Sequence, residues 1–459
     1  MAMTLGVDLG RTALAFEEEL RLFADSHPRS AALYRRGLEH FLYGAPMHWM
    51  QQWPGSCPVY VTRAQGARLE DVDGHSYVDF ALGDSGAMFG HGHPATVKAI
   101  CEQVASGSTF MLPTEDSLWV GEELARRFGL PYWQITTSAT DANRFVLRLC
   151  RMITGRAKVL AFNCNYHGSV DETQVELAPD SRMVPRHDVH PNGRDHRETT
   201  RLVEFNDIAA LQEALSHDDV ACVLTEPVMT NIGMVPPAPG FHEALRELTR
   251  RHEVPLIIDE THSISTGVGG YCGKYGLQPD FFVLGKAIGG GIPIAVWGAS
   301  DEMARRTWAV RPHFTPGEPI NHYGFGGTLA GSALQVAALK ATLETVMTPQ
   351  NFARMEEMAV RFAEGTSGVI RRHGLPWHLT RIGARVEYLF LQHTPRTGGE
   401  AAAGRHALLE AYLHLYQLNR GVLLTPFHNM ALLCPFVSAG DVDRHTAVLD
   451  EGLHNIRLA

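Results

Sequence analysis

The sequence predicts an α/β protein whose larger domain is built on a mostly parallel sheet, accompanied by a smaller domain of α+β type. Three observations carry that prediction. From about residue 95, short apolar runs alternate with amphipathic helical patterns. The runs are apolar throughout, as strands covered on both faces are. At 459 residues the chain also exceeds what one ordinary core accommodates, so two domains or more are expected.

Taken in order, residues 11–23 have helical periodicity with acidic side chains, an amphipathic helix suited to lie across a partner subunit or the small domain. "YVTRAQGARLEDVDGHSYVDF" (60–80) alternates β-prone runs with Asp-Gly turns, the pattern of a small antiparallel meander. "DANRFVLRLCRMIT" (141–154) is an apolar-faced helix, and "KVLAFN" (158–163) is the strand after it. "ACVLTEP" (221–227), "PLIIDE" (255–260) and "DFFVLGK" (280–286) are further strands, with the helical "GFHEALRELTRRH" (240–252) among them. Ligands of such sheets bind at the carboxyl ends of the strands. The His-rich "PRHDVHPNGRDHRETT" (185–200) fits no common zinc spacing and is read as a solvated loop. After about 345 the chain reads as long helices around short strands, among them "ARVEYLFL" and "GVLLTPFHNMALLC".

Composition excludes several function classes. With 45% hydrophobic and 20% charged residues the chain is of soluble, globular type. A formal charge of −10 at pH 7 argues against nucleic acid or an anionic membrane as partner. Seven scattered cysteines, never spaced as CxxC, suggest reduced thiols and neither a disulfide framework nor a metal site. The N-terminus lacks the basic-then-apolar order of a signal peptide, and no apolar run approaches the roughly 18 residues of a spanning helix. A cytoplasmic location is expected.

Charged residues at the ends of two apolar strands mark the chemistry. Asp259 closes one strand and Lys286 the next, so a parallel sheet would bring both to its ligand-binding rim. Singly, Asp259 could cap a helix and Lys286 could snorkel to water. "TTSATDAN" (136–143) sets hydroxyl residues before a helix, where free N–H groups and the dipole favour a phosphate, or simply an N-cap. "NYHGS" (165–169) places an aromatic ring and an imidazole beside a glycine, and "GFGGTLAGSA" (324–333) is a second glycine and hydroxyl cluster. A phosphate cradle, an aromatic plate, a carboxylate and a lysine together suit pyridoxal 5′-phosphate.

The order of these elements resembles the class III (ω-type) aminotransferases of fold type I, the superfamily that includes glutamate-1-semialdehyde aminomutase. The motifs are "LIIDE" followed by "LGKAIGGGIPIAVWG", with "TSATDA", "YHGS", "TEPV" and "GGTLAG" in order. The resemblance runs from "YVDFALGDSGAMFGHGHPATVKAI" (77–100) to the C-terminus. It implies a seven-stranded, mostly parallel sheet flanked by helices, and a small domain built from both termini. The boundaries expected are 1–75 for the N-terminal part of the small domain, 76–340 for the large domain and 341–459 for the C-terminal small domain.

By the same resemblance Lys286 is the Schiff-base lysine and Asp259 the partner of the ring nitrogen. Tyr166 is the stacking aromatic with His167 beside it, and Ser138, Ala139 and Thr140 form the phosphate loop. Glu226 is the acidic residue near the cofactor. Thr328 would reach the phosphate in a neighbouring subunit, which implies a homodimer with shared sites. The activity implied is transfer of an amino group between an amine or amino acid and a keto or aldehyde acceptor. A 2,1-aminomutase, a racemase or an ammonia-lyase is the alternative.

Some positions depart from the family. "DETHSISTG" stands where "DEV…GFR" is usual, "TSATDA" replaces "NSG.EA", and Ser332 replaces a frequent asparagine. "GAPMHWMQQW" (44–53) offers Met47, His48, Trp49 and Trp53 but no arginine, as a substrate pocket or a structural aromatic cluster. Arg385 in "RIGARVEYLF" is either a fork for a substrate carboxylate or phosphonate, or a surface cation on a strand. "GVGGYCG" (267–273) misses the dinucleotide spacing, and "HGHP" (91–94) matches a family turn better than a metal site.

Overall fold

A computed structural model describes residues 5–186, 189, 195–311, 316–317 and 324–458. The chain divides into two compact units. One takes in residues 1–93, 350–394 and 404–459, and the other residues 94–349 and 395–403. These borders differ from the expected ones. The strand Ser76–Asp79 pairs within the first unit, which carries its border from residue 75 to 93. Residues 395–403 return to the larger unit, where Gly399 N donates to Glu204 Oε2 and the Gly398 Cα lies too near Asn163 O for any side chain.

The unit built from both termini holds two small sheets. Strands β1 (Val61–Gln65), β2 (Arg68–Asp71) and β3 (Ser76–Asp79) form the predicted antiparallel meander, and β15 (Val422–Leu423) extends it parallel to β3. The second sheet has the order β13 (His378–Ile382), β14 (Arg385–Leu389), β16 (Met430–Leu432), all antiparallel. The helix Leu9–Ser26 packs on the helix Ala407–Leu418 of the same unit, with Glu19 paired to Arg420 at 3.0 Å. Phe23, Tyr77, Leu415 and Leu418 share its core.

The larger unit is organised by a seven-stranded sheet, as expected. It contains β4 (Tyr132–Thr136), β5 (Lys158–Phe162), β8 (Thr200–Val203), β9 (Val220–Thr225), β10 (Leu256–Asp259), β11 (Phe281–Leu284) and β12 (Ala295–Ala299), in the order β4-β12-β11-β10-β9-β5-β8. Only β12 runs against its neighbours β11 and β4; the remaining pairs are parallel. A short hairpin, β6 (Val175–Leu177) and β7 (Met183–Pro185), stands outside the sheet. Every residue of β9, β10 and β11 is buried, which is why their sequences carry no alternation. The helix Ala139–Thr154 buries Ala142, Val146, Leu149 and Cys150 against Leu224, Ile257 and Val283 of three strands. All seven cysteines are free thiols. Among the described residues no helix is long and apolar enough to cross a membrane.

Candidate active site

Six strands of the larger sheet run parallel and end on one side, and the loops leaving β4, β5, β9, β10 and β11 there carry the polar residues of the site. Asp259 is the last residue of β10, and Lys286 follows the end of adjacent β11 by two positions. Lys286 is half-buried and takes φ +50°, a left-handed conformation that a lysine adopts at a cost. Its flanking Gly285 is pressed against the start of the helix Ala139–Thr154, where a Cβ would stand 2.9 Å from that of Ala139.

Asp259 is almost fully buried and densely bonded. Oδ2 accepts from Asn143 Nδ2 and from His167 Nδ1, both at 2.9 Å, and Oδ1 accepts from Thr261 N at 3.1 Å. Burial pushes its carboxyl up, but the bonds from His167, Asn143 and Thr261 overrule it and hold the group at about 2. It is therefore an anion at neutral pH, fixed inside the protein. His167, expected at the cofactor, is 2% exposed, and its Nδ1 bonds Asp259.

The phosphate-loop candidates form the first turn of the helix Ala139–Thr154. Ser138 is its N-cap, its Oγ accepting from Asp141 N at 3.1 Å. The N–H groups of Ala139 and Thr140 stand in the first turn, where a helix offers no internal acceptor. Gly168 (φ +78°) lies so close that a Cβ would stand 2.0 Å from Thr140 Oγ1, and Ser169 N donates to that same oxygen at 3.1 Å. The loop carrying half-buried Tyr166 is thereby clamped to the helix start.

Glu226, after β9, is buried, and burial raises its carboxyl above the ordinary range despite His167 nearby and a bond from Thr230. Thr230 Oγ1 hydrogen-bonds Glu226 Oε2 and lies 2.8 Å from His262 Nδ1. The other ring nitrogen, His262 Nε2, is 2.6 Å from Lys286 Nζ. Sequence reasoning missed Asn143, Thr230 and His262. The signal for the last is "DETHSISTG" standing where "DEV…GFR" is usual.

The remaining candidates are carried by other segments. Thr328 is exposed in the turn before the helix Ala333–Ala341. In the other unit His48 is exposed and Trp49 half-buried, and their rings stand edge to edge at 5.6 Å, with Trp49 also 5.4 Å from Phe427. Arg385 is no surface cation. It is fully buried in β14, with Nη2 donating to Ser85 Oγ at 2.6 Å. Of the His-rich stretch 185–200, residues 187, 188 and 190–194 lie outside the described residues; Asp195 caps the turn His196–Glu198. "GVGGYCG" wraps Glu260, which accepts from Tyr271 N and Cys272 N. His91 of "HGHP" pairs with Asp79 at 2.7 Å. In a possible metal-binding group among the described residues, His27, Asp71 and His75, Asp71 is already bonded by His75 Nδ1 directly and by the Tyr77 hydroxyl, which also meets His27 Nε2.

A buried anion and a lysine at neighbouring strand ends, beside a helix start, define a fold type I enzyme of α/β architecture. The profile of the class III aminotransferases matches residues 49–431, and the chain belongs to that family. It is 33% identical over 384 residues to glutamate-1-semialdehyde 2,1-aminomutase 2 of Brevibacillus brevis, covering 81% of this chain and 85% of that one. A crystal structure of a glutamate-1-semialdehyde-aminomutase from Pseudomonas aeruginosa PAO1 superposes with a TM-score of 0.97 at 66% identity, covering 98% of this chain and 99% of that one. A K286A form of such an enzyme from the same organism, in complex with PMP, gives 0.98 at 65% identity, over 98% of this chain and all of that one.

Proposed function

We propose that this chain is a pyridoxal-phosphate enzyme that moves an amino group between neighbouring carbons of one substrate, a 2,1-aminomutase. The observation that carries the cofactor is Asp259, a carboxylate kept ionised inside the protein one strand away from Lys286. The helix start fits as well, since the N–H groups of Ala139 and Thr140 lie in the first turn, where the helix supplies no acceptor for them. When bound, the cofactor supplies an electron sink for the carbon that loses its proton.

The chain's own residues do the rest. Lys286 Nζ would hold the cofactor's aldehyde carbon and afterwards serve as the base that carries a proton between carbons. Asp259 would keep the ring nitrogen protonated, because an adjacent anion favours the cationic form. Asn143 and His167 orient that carboxylate. Ala139 and Thr140 would donate backbone N–H groups to the phosphate, and Tyr166 would cover the ring. Glu226 lies deeper, at the end of the Thr230 and His262 chain.

The aminomutase outcome draws on the names of the relatives at 65–66% identity. Transfer to a separate keto or aldehyde acceptor, the outcome expected from the sequence, is the second reading. It is favoured by segment 44–53, which carries His48 and Trp49 and no arginine for a substrate carboxylate. Supplying the holoenzyme with glutamate 1-semialdehyde alone separates them. An aminomutase completes many turnovers to the isomer with the amino group on the adjacent carbon. One keto product per site, with turnover resuming only after an acceptor is added, refutes the aminomutase and establishes the aminotransferase.

A homodimer belongs to the same proposal. Val97, Val104, Phe110, Met111, Leu112 and Leu118 are exposed apolar residues on one stretch of the larger unit, where a second copy would cover them and bring Thr328 to the partner's phosphate. Seven free thiols suit a reducing, cytoplasmic setting.

A further inference from the structure

We infer that His262, Thr230 and Glu226 form a proton relay that sets the protonation of the Lys286 amine. The inference rests on the role proposed above for Lys286. It concerns residues that the sequence does not tie to that lysine.

The links are continuous. Lys286 Nζ meets His262 Nε2 at 2.6 Å, His262 Nδ1 meets Thr230 Oγ1 at 2.8 Å, and Thr230 Oγ1 meets Glu226 Oε2. His262, Thr230 and Glu226 are each at most 5% exposed, so bulk water does not substitute for any of them. His262 Nδ1 and Glu226 Oε2 are 4.0 Å apart, too far for a direct bond, so the threonine hydroxyl is the necessary middle link. Thr230 N at 3.3 Å and Asn231 Nδ2 at 3.2 Å hold the other carboxyl oxygen, Oε1, leaving Oε2 to face the hydroxyl.

Each member both donates and accepts, as a relay requires. With the lysine an ammonium, Lys286 donates to Nε2, Nδ1–H donates to Thr230 Oγ1, and the hydroxyl donates to the Glu226 carboxylate. Three transfers reverse the pattern. A proton leaves Nζ for Nε2 as another leaves Nδ1 for Oγ1 and a third leaves Oγ1 for Oε2. Three N–H or O–H bonds break and three form, with the net change of ammonium to amine and carboxylate to carboxylic acid. The imidazole ends neutral in its other tautomer. The lysine thus gains the lone pair that its task as a base needs.

The surroundings make Glu226 a stronger proton acceptor than an ordinary carboxylate. Burial raises its affinity for a proton, the Asp259 charge raises it further, and His167 opposes both. Among the described residues, the charged or titratable groups facing the relay include Lys286, Asp259 and His167. His262 and Thr230 act through Lys286 and are positioning residues.

The test uses the enzyme loaded with pyridoxamine phosphate, in which Lys286 carries a free amine. Acetylation of Lys286 by acetic anhydride, read by peptide mass spectrometry across pH, reports the fraction of amine. Thr230→Val removes the hydroxyl at nearly constant shape and is expected to lower labelling at pH 7 about tenfold. His262→Met should do the same, while Thr230→Ser should restore it. Single-turnover proton transfer should slow about a hundredfold in the first two variants, in line with the usual contribution of a positioned acid or base. Labelling and rates equal to wild type in Thr230→Val and Thr230→Ser overturn the relay, and these two variants decide alone should His262→Met misfold. Borohydride reduction of the pyridoxal-phosphate form tests the underlying reading separately. Failure to fix the cofactor at position 286 removes the lysine's role, whereas fixation with unmoved labelling removes only the relay.

Discussion

Replacing Asp259 by Asn isolates the electrostatic core of the site. The substitution keeps shape and volume but removes the charge that Asn143, His167 and Thr261 are arranged to hold. An aspartate with no such partners titrates near 3.9, whereas this one sits at about 2. The folded value is depressed, so the stabilisation is present above the unfolded value and lost as pH falls through the folded one. That difference amounts to about 2.5 kcal/mol at pH 7, about 1.3 kcal/mol at pH 3 and under about 0.5 kcal/mol at pH 2. The carboxylate is 5% exposed, so solvent screening takes little from these figures. Urea unfolding of both proteins, without added cofactor, at pH 7, 4 and 3 is the assay. Asp259→Asn should be less stable by about 2–3 kcal/mol at pH 7, with the gap roughly halved at pH 3. A gap below about 0.5 kcal/mol at pH 7, or one that does not narrow in acid, would contradict the claim that Asp259 is held as an anion by its neighbours. With cofactor bound the same variant should retain the chromophore and lose at least a hundredfold in turnover, since the ring nitrogen would no longer be kept charged.

Gly168→Ala should destabilise by about 2–3 kcal/mol, combining the left-handed φ of +78° with loss of the bond from Ser169 N to Thr140 Oγ1. It should also release cofactor on gel filtration, and unchanged thermal stability would count against the clamp. Lys286→Ala should abolish turnover yet still bind pyridoxamine phosphate, measured by absorbance after desalting; wild-type-like rates would remove the lysine from the mechanism. Buried His445, stacked on Phe362 at 4.1 Å, is held at about 3 by burial, and His414 likewise at about 4. Both must take up protons on unfolding below about pH 6.5, so stability should fall with acidification. His445→Leu should flatten that fall by up to about 1.4 kcal/mol per pH unit between about pH 6 and 4 in urea titrations, and an unchanged slope would refute the assignment.

The parts of this molecule legible in the sequence are those that local pattern determines. Buried strands such as β9 and β11 announce themselves as unbroken apolar runs, and a charge that ends such a run, as Asp259 and Lys286 do, stands out against it. The first turn of the helix Ala139–Thr154 is legible for the same reason, because its cap and its apolar stripe are contiguous. The domain borders were less so. β3 begins where the large domain was expected to open, and its pairing with β2 on one side and with β15, more than three hundred residues on, on the other assigns it to the other unit. Arg385 shows the limit on burial, since an arginine in a strand reads as surface until Ser85 is found against it.

His262 and Thr230 mark a different limit, one of pairing. Each looks unremarkable alone, a histidine in a loop and a threonine after "EPVM", and neither changes the local pattern of its segment. Their meaning lies in the 2.8 Å between them, which depends on β9 and β10 being neighbours in register, Leu256 opposite Val223 and Ile258 opposite Thr225. That register carries the loops after the two strands to the same end of the sheet, and the adjacent β11 brings Lys286 to the third corner. A residue that departs from its family at one strand end is therefore best judged with the residues at the ends of the strands beside it. By that standard His262 of "DETH" is the hydrogen-bonding neighbour of the lysine, and the chemistry of Lys286 is to be measured together with Thr230, one strand further on.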